Sequence, residues 1–334
     1  CWNNLSYTAD NKDIAEVWSH AYKAIRLANT FLANLEESSS EALPEYAKRF
    51  LRGEAFALRG FFQLFLAKHF GLVPILSPGD DYAGTPGKEK AQTYEDMYDL
   101  IIQDFKEAAE NLEWEPRNGE YGRCTKGMAL AYLGEALMWK AYCCNQPSFY
   151  GEAKQKLEEL KNNGGFTLQP CYGTLWDYEG VWNNETIWAS VVENKDWTTL
   201  AAHPYCGGDG LVSLSWEWFA SFEYNSPESF DRRRDRSCCY GNISQEEMGK
   251  FKMVPDAYYD GSWGRNPFIG ENLGRDTTFH VASPHNSFVP SVWSTKYWRT
   301  GRVGSENRTI LYWKRYADVL LDYAECCART GDEG

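Results

Sequence analysis

Residues 46–76 read YAKRFLRGEAFALRGFFQLFLAKHFGLVPIL. The stretch predicts a long buried helix that stops at Gly71 and leaves through an extended Val73-Pro74-Ile75 step. Small residues (Gly53, Ala55, Ala57, Gly60) alternate with bulky ones (Phe50, Leu58, Phe61, Phe62, Phe65). The small residues admit a second helix at close range, and the bulky ones fill the space beside it.

Working outward, residues 14–35 place Trp18, Tyr22, Ile25, Asn29 and Leu32 on one helical face. Residues 94–112 carry the clearest helical period in the chain, after a Thr93 cap with Asp96 three positions on. A further helix covers 125–144 behind a Thr125 cap, and a shorter one covers 149–161 before Asn163-Gly164-Gly165. Antiparallel hairpins of the tetratricopeptide-like kind are expected. The two hairpins begin about eighty residues apart against a repeat of about 34, so this is a decorated array and not a strict repeat. The long loop at 77–92 accounts for much of the excess.

Between 166 and 309 the helical period gives way to Gly, Trp, Asn, Ser and Pro, with short apolar runs such as Ile187–Val192 read as isolated strands. A stretch this long implies a loop-rich mixed subdomain with a surface task. Helical character returns over Ile310–Arg329. The expected fold is mostly α: a helical scaffold over 1–165, a loop-rich ligand-binding insert over 166–309, and a closing scaffold helix within 310–334.

The chain has 334 residues and a formal charge of −13, which argues against a nucleic-acid partner and against polyanionic ligands in general. No run of 18 apolar residues exists, so no membrane-spanning helix is expected. The opening CWNNLSYTADN lacks the basic start and apolar stretch of a signal peptide, and a truncated start is the expectation. Six of the ten cysteines lie in the adjacent pairs Cys143-Cys144, Cys238-Cys239 and Cys326-Cys327, and no C-x-x-C occurs. They read as small buried hydrophobes and not as a metal framework. The histidines show no H-E-x-x-H or H-x-H spacing, and neither a phosphate loop nor a Gly-x-Ser-x-Gly elbow is present. No cofactor, metal or catalytic constellation is expected. Acid pairs such as Asp177 with Glu179, or Asp80 with Asp81, leave a glycoside hydrolase of helical-barrel type as one alternative. A protein-only scaffold using helical grooves is the other.

Five ordered motifs carry a resemblance. They are WSHAYKAIRLANTFL at 18–32, the 46–76 stretch with its Glu54-Ala55, Arg59 and Phe70-Gly71-x-Val73-Pro74, and YGRCTKGMALAYLGEAL at 121–137. The fourth runs from Tyr150 through Gly164-Gly165-Phe166 to Trp176 and on to Asn184-Glu185-Thr186-Ile187-Trp188, and the last is Arg315 with YADVLLDYAECCARTG at 316–331. In this order they resemble the SusD/RagB family. The resemblance implies a non-catalytic, glycan-binding protein of the Gram-negative cell surface, active in polysaccharide utilisation and nutrient uptake. Its partners would be an oligo- or polysaccharide and a SusC-like TonB-dependent outer-membrane transporter. Membrane attachment would run only through an N-terminal lipid anchor, which, like the family's first helix and its C-terminal part, is expected to lie outside this stretch.

Sugars rest their C–H faces on aromatic rings while nearby amides and acids bind the hydroxyls. The residues in polar, non-helical sequence that offer such a platform are Trp2 with Asn3, then Trp197, His203 and Tyr205, then Trp263, and Trp293 with Trp298. Trp197 and Tyr205 are favoured for their polar neighbours. Trp18, Trp114 and Trp139 fall on helical spacing and read as core, as do Trp216 and Trp218 with Phe219 and Phe222. The basic run Arg232–Arg236 reads as structural.

Overall fold

The structure is a computed structural model that describes residues 8, 10–38, 43–76, 93–170, 172, 175, 182–192, 218, 221–226, 229–231, 233, 237–241, 291–294 and 309–332. Its helices are α1 (Lys12–Glu37), α2 (Glu45–Phe70), α3 (Tyr94–Asn111), α4 (Lys126–Cys143), α5 (Phe149–Asn163) and α6 (Tyr316–Thr330). Its strands are β1 (Thr186–Val192), β2 (Tyr224–Ser226), β3 (Ser229–Phe230), β4 (Cys238–Gly241), β5 (Ser291–Ser294) and β6 (Thr309–Arg315). The strands pair as β1 with β6, β2 with β3, and β4 with β5.

The chain divides into two compact units. Unit 1 holds 1–167, 185–188 and 314–334, and unit 2 holds 168–184 and 189–313. In unit 1 each helix packs on the next in chain order, with α6 against α5, which is the expected mostly helical, tetratricopeptide-like frame.

The caps form where the sequence places them. The Asp96 and Met128 amides donate to Thr93 Oγ1 (3.0 Å) and Thr125 Oγ1 (3.3 Å), satisfying donors that a helix start leaves open. Gly71 ends α2 at φ 75°, in the region where a side chain is strained. Helix α3 lies so close to α2 that a methyl on Gly53 would sit 2.8 Å from Leu112 Cγ, and one on Gly60 3.1 Å from Asp104 Cβ. Between α4 and α5 the approach is closer, with a methyl on Gly134 falling 2.5 Å from Leu157 Cδ2. Phe61, Leu64, Met97, Tyr98, Phe105, Leu130 and Leu133 fill the core these approaches create. Leu58, read from sequence as filling that space, is exposed.

Arginine and lysine side chains then tie the elements together. Arg59 donates two bonds to the Asp104 carboxylate, at 2.6 and 2.9 Å, and a third to Asn29 Oδ1 at 2.7 Å. Asn29 Nδ2 in turn donates to the Leu76 carbonyl (2.9 Å), and the Tyr22 hydroxyl to that of Pro74 (2.8 Å). Arg123 binds both oxygens of Glu54. Trp188 is buried against Phe61 and Tyr132, and its Nε1 donates to the Gly122 carbonyl at 3.1 Å. Arg315 donates to Glu185 Oε1 (2.8 Å), and the Tyr316 amide to the Glu185 carbonyl (2.9 Å).

One expectation fails at β6. Residues 310–315, read as the start of the closing helix, form a strand, and α6 begins at Tyr316. Thr309-Ile310-Leu311-Tyr312-Trp313 is β-branched and aromatic and pairs with β1, a preference that outweighs its partial helical period. The Arg315 amide donates to Asp318 Oδ2 at 2.8 Å, which sets the helix start.

Next to that junction the buried Lys314 ammonium donates to Glu135 (3.0 Å) and Asp322 (2.8 Å), and Glu135 also pairs with Lys68. Burial opposes the Lys314 charge, but Glu135 and Asp322 outweigh it and hold its pKa above the ordinary value. Burial also opposes the Glu135 charge, and Lys314 with Lys68 brings its pKa below the ordinary carboxylate range. At Asp322 burial wins and the pKa is raised. The Lys314 contribution is therefore whole below about pH 10.4 and is lost as pH rises through its folded value. The Glu135 contribution is present above about pH 4.3 and is lost as pH falls through its folded value. Lys314→Met strands two buried acids and is expected to lower stability by about 3–5 kcal/mol at neutral pH. Thermal melts at descending pH should show the gap to the parent narrowing as those acids take up protons, and a gap that stays constant would refute the network.

Candidate functional site

Of the residues proposed from sequence as an aromatic platform, Trp2, Asn3, Trp197, His203, Tyr205, Trp263 and Trp298 lie outside the described residues. Trp293 stands on β5, its Cα opposite that of Cys239 in the antiparallel β4–β5 pair. Trp216 and Phe219 also lie outside.

Within unit 2 the described indoles are those of Trp182, Trp218 and Trp313. All three are exposed, by 36%, 37% and 38%. Trp218 therefore departs from the core reading. It meets Phe222 edge-to-face at 4.9 Å, a two-ring contact whose indole stays open to solvent.

Trp313 is the best defined of them. Successive residues of a strand point to opposite faces, so β6 separates the Tyr312 ring from that of Trp313. The Tyr312 hydroxyl donates to the Leu175 carbonyl at 2.9 Å and accepts from Asn183 Nδ2 at 3.1 Å. The Trp313 Nε1 donates to Ser190 Oγ of β1 at 2.8 Å. That bond fixes the indole's rotation and uses its polar group, so what the ring turns to solvent is apolar π surface.

Sequence reasoning passed over Trp313 because the segment was read as helix. The missed signal is the β-branched and aromatic run Thr309-Ile310-Leu311-Tyr312-Trp313. In the basic run, Arg233 is paired with Asp231, in keeping with a structural role. Trp18, Trp114 and Trp139 are half-buried and pack against the helical core.

Nucleophilic and metal chemistry find little support among the described residues. The thiols of Cys124 and Cys326 are buried and pushed up to about 12, chiefly by that burial, so both are protonated at neutral pH. No group of His, Cys, Asp and Glu among the described residues is arranged to hold a metal ion. No described helix is long and apolar enough to cross a membrane.

A SusD-like family model, described as "Starch-binding associating with outer membrane", matches residues 2–142. A SusD-like protein of Bacteroides ovatus is 23% identical over 336 residues, which cover 98% of this chain and 58% of the relative. Over residues 2–142 the chain is similar to the SusD-like family. It spans 58% of the length of that curated relative.

Solved proteins share the fold. A SusD-like carbohydrate-binding protein from Bacteroides fragilis superposes with a TM-score of 0.71 at 23% identity, over 97% of this chain and 63% of that one. Surface glycan-binding protein A from Bacteroides uniformis does so with a TM-score of 0.67 at 21% identity, over 95% of this chain and 62% of that one. In this chain the motif residues Asn29, Glu54, Arg59, Arg123, Glu185 and Arg315 all act within the frame, as ties between helices and strands.

The two indoles at β1 and β6 should respond differently to truncation. Trp188→Ala removes a buried ring and should cost about 3–5 kcal/mol. Trp313→Ala, which removes an exposed ring, should stay within about 1 kcal/mol of the parent. Denaturant titrations of the two variants check this, and equal losses would show that Trp313 is a packing residue.

Proposed function

We propose that this chain is the non-catalytic glycan-binding part of a cell-surface protein that passes oligo- or polysaccharide to a SusC-like TonB-dependent transporter of the outer membrane. The insert at 166–309 would bear most of the ligand contacts, through Trp197, His203, Tyr205, Trp263 and Trp293. Trp182 and Trp313, beside β1 and β6, would add to these contacts, and Trp2 and Asn3 of unit 1 are proposed as ligand contacts of their own.

The observation that carries the reading is the Trp313 indole, exposed on a strand and held by Ser190. A ring fixed before binding loses little entropy when a sugar stacks on it. The names of the relatives, one a carbohydrate-binding protein and one a surface glycan-binding protein, point the same way. Among the described residues the acids Glu54, Asp104, Glu135 and Glu185 are each tied to an arginine or lysine, which favours a binding role over a hydrolytic one; Asp80, Asp81, Asp177 and Glu179 lie outside the described residues. A glycosidase needs one carboxyl kept protonated beside the scissile bond and a second ionised one at a set distance.

Affinity electrophoresis against plant, host and microbial polysaccharides tests the proposal. At least one neutral polysaccharide should retard the protein, and Trp313→Ala or Trp197→Ala should weaken the retardation about tenfold, or about 1.4 kcal/mol. Incubation with the retarding glycan should release no shorter product. Oligosaccharide release would favour the hydrolase reading. Absence of any retardation, with a membrane protein co-purifying, would favour a protein-only scaffold.

A further inference from the structure

Ser190 of β1 and Trp313 of β6 both belong to unit 2. Their side chains meet across the β1–β6 pair, where the indole Nε1 donates to Ser190 Oγ at 2.8 Å. A tryptophan on a strand can take more than one staggered setting about its first side-chain bond, and the setting about the second is broad. A neighbour must therefore choose among these orientations if the ring is to hold one. Packing chooses for Trp188, two residues before Ser190, which is 8% exposed and lies against Phe61 and Tyr132. Trp313 is 38% exposed, and the bond to half-buried Ser190 supplies a directional hold that so open a ring does not get from burial. An indole N–H points outward in the plane of its ring, so a bond made there fixes the ring by its edge and does not occupy a face.

We infer that Ser190 is a positioning residue of the glycan platform: it sets the orientation in which the Trp313 indole meets a sugar. The inference rests on the glycan reading above and adds to it a residue with no aromatic surface of its own. A sugar stacks only on an indole turned face-on to it, and a ring found in another setting must be brought there as the sugar binds. Ordering one such side chain on binding costs between about twofold and tenfold in affinity. Ser190 removes that cost beforehand, since it orders the indole in the free protein. The same bond occupies the one donor of the indole, so Trp313 contributes stacking and leaves the sugar hydroxyls to other residues. Alanine at 190 removes the acceptor, whereas threonine keeps the hydroxyl on a β-branched frame that a strand accepts.

Affinity electrophoresis with the neutral polysaccharide that retards the parent, together with indole N–H NMR, tests the inference on the whole chain. Ser190→Ala should weaken retardation between about twofold and tenfold while keeping the parent's melting curve, and Ser190→Thr should restore it. If Ser190→Ala fails to fold, Ser190→Cys, which offers only a weak acceptor, takes its place. In a Trp313→Ala background the loss of the serine should change retardation no further, because Ser190 acts through that ring. In the free protein the Trp313 indole N–H signal, identified by its absence from Trp313→Ala, should shift and exchange faster with water in Ser190→Ala, and slow again in Ser190→Thr. A Ser190→Ala protein retarded like the parent would overturn the inference. So would an equal loss on top of Trp313→Ala, which would make Ser190 a direct contact or a general support of the strand pair. An indole signal untouched by Ser190→Ala would overturn it too, by showing that other neighbours hold the ring. Each of these three results leaves the glycan reading standing, whereas a parent that no polysaccharide retards removes both.

Discussion

Arg59 occupies the point where three helices meet, and its charge cannot be left alone there. Its three bonds reach Asp104 of α3 and Asn29 of α1, and Asn29 extends the chain of bonds to the Leu76 carbonyl beyond α2. Taking such a pair out of water costs about what the attraction returns, so its worth lies less in net stability than in geometry. A helix that slid by one turn would leave a buried carboxylate facing no cation. The close approach at Gly60 adds to this, since Asp104 and Phe105 lie where a side chain on Gly60 would have to go. Charge and packing thus select the same register of α2 on α3.

The same logic governs the chain's excursion into unit 2. The chain first leaves unit 1 after Thr167, returns over Glu185–Trp188, then leaves again for the longer excursion and re-enters at Lys314. Both ends are fastened inside unit 1 by partners that come from the frame itself: Trp188 by the Gly122 carbonyl, Lys314 by Glu135 and Asp322, and Arg315 by Glu185. Length and sequence between those ends can vary without unpairing any of these groups.

How much of this could be read from the sequence follows from which interactions leave a period. The helices of unit 1 do, because the core repeats every three to four residues. Their starts do as well, because Thr93 and Thr125 are the residue types that cap. Arg59, Glu54 and Arg123 are legible as motif residues, while their pairing is not, since a salt bridge between residues 45 or 69 positions apart has no local trace. Strand β6 was misread because Ile310–Arg315 satisfies part of a helical pattern and only pairing with β1 decides the matter. The aromatic platform was least legible. A tryptophan in irregular sequence carries no information on which way it points, and its exposure is set by neighbours such as Ser190 that lie far away in the chain.

This division explains why the motifs carry a resemblance to a family and say nothing of a ligand. Each motif residue answers to another: Glu54 to Arg123, Asn29 to Arg59, Glu185 to Arg315. Replacing one strands its partner in a buried place, so such pairs change together or not at all. The Trp313 indole is exposed and donates to Ser190 through its nitrogen, and a serine hydroxyl finds water if the ring is lost. An exposed aromatic residue of this kind can therefore be replaced at small cost to the frame. The residues that identify the frame are for that reason not those expected to recognise the ligand.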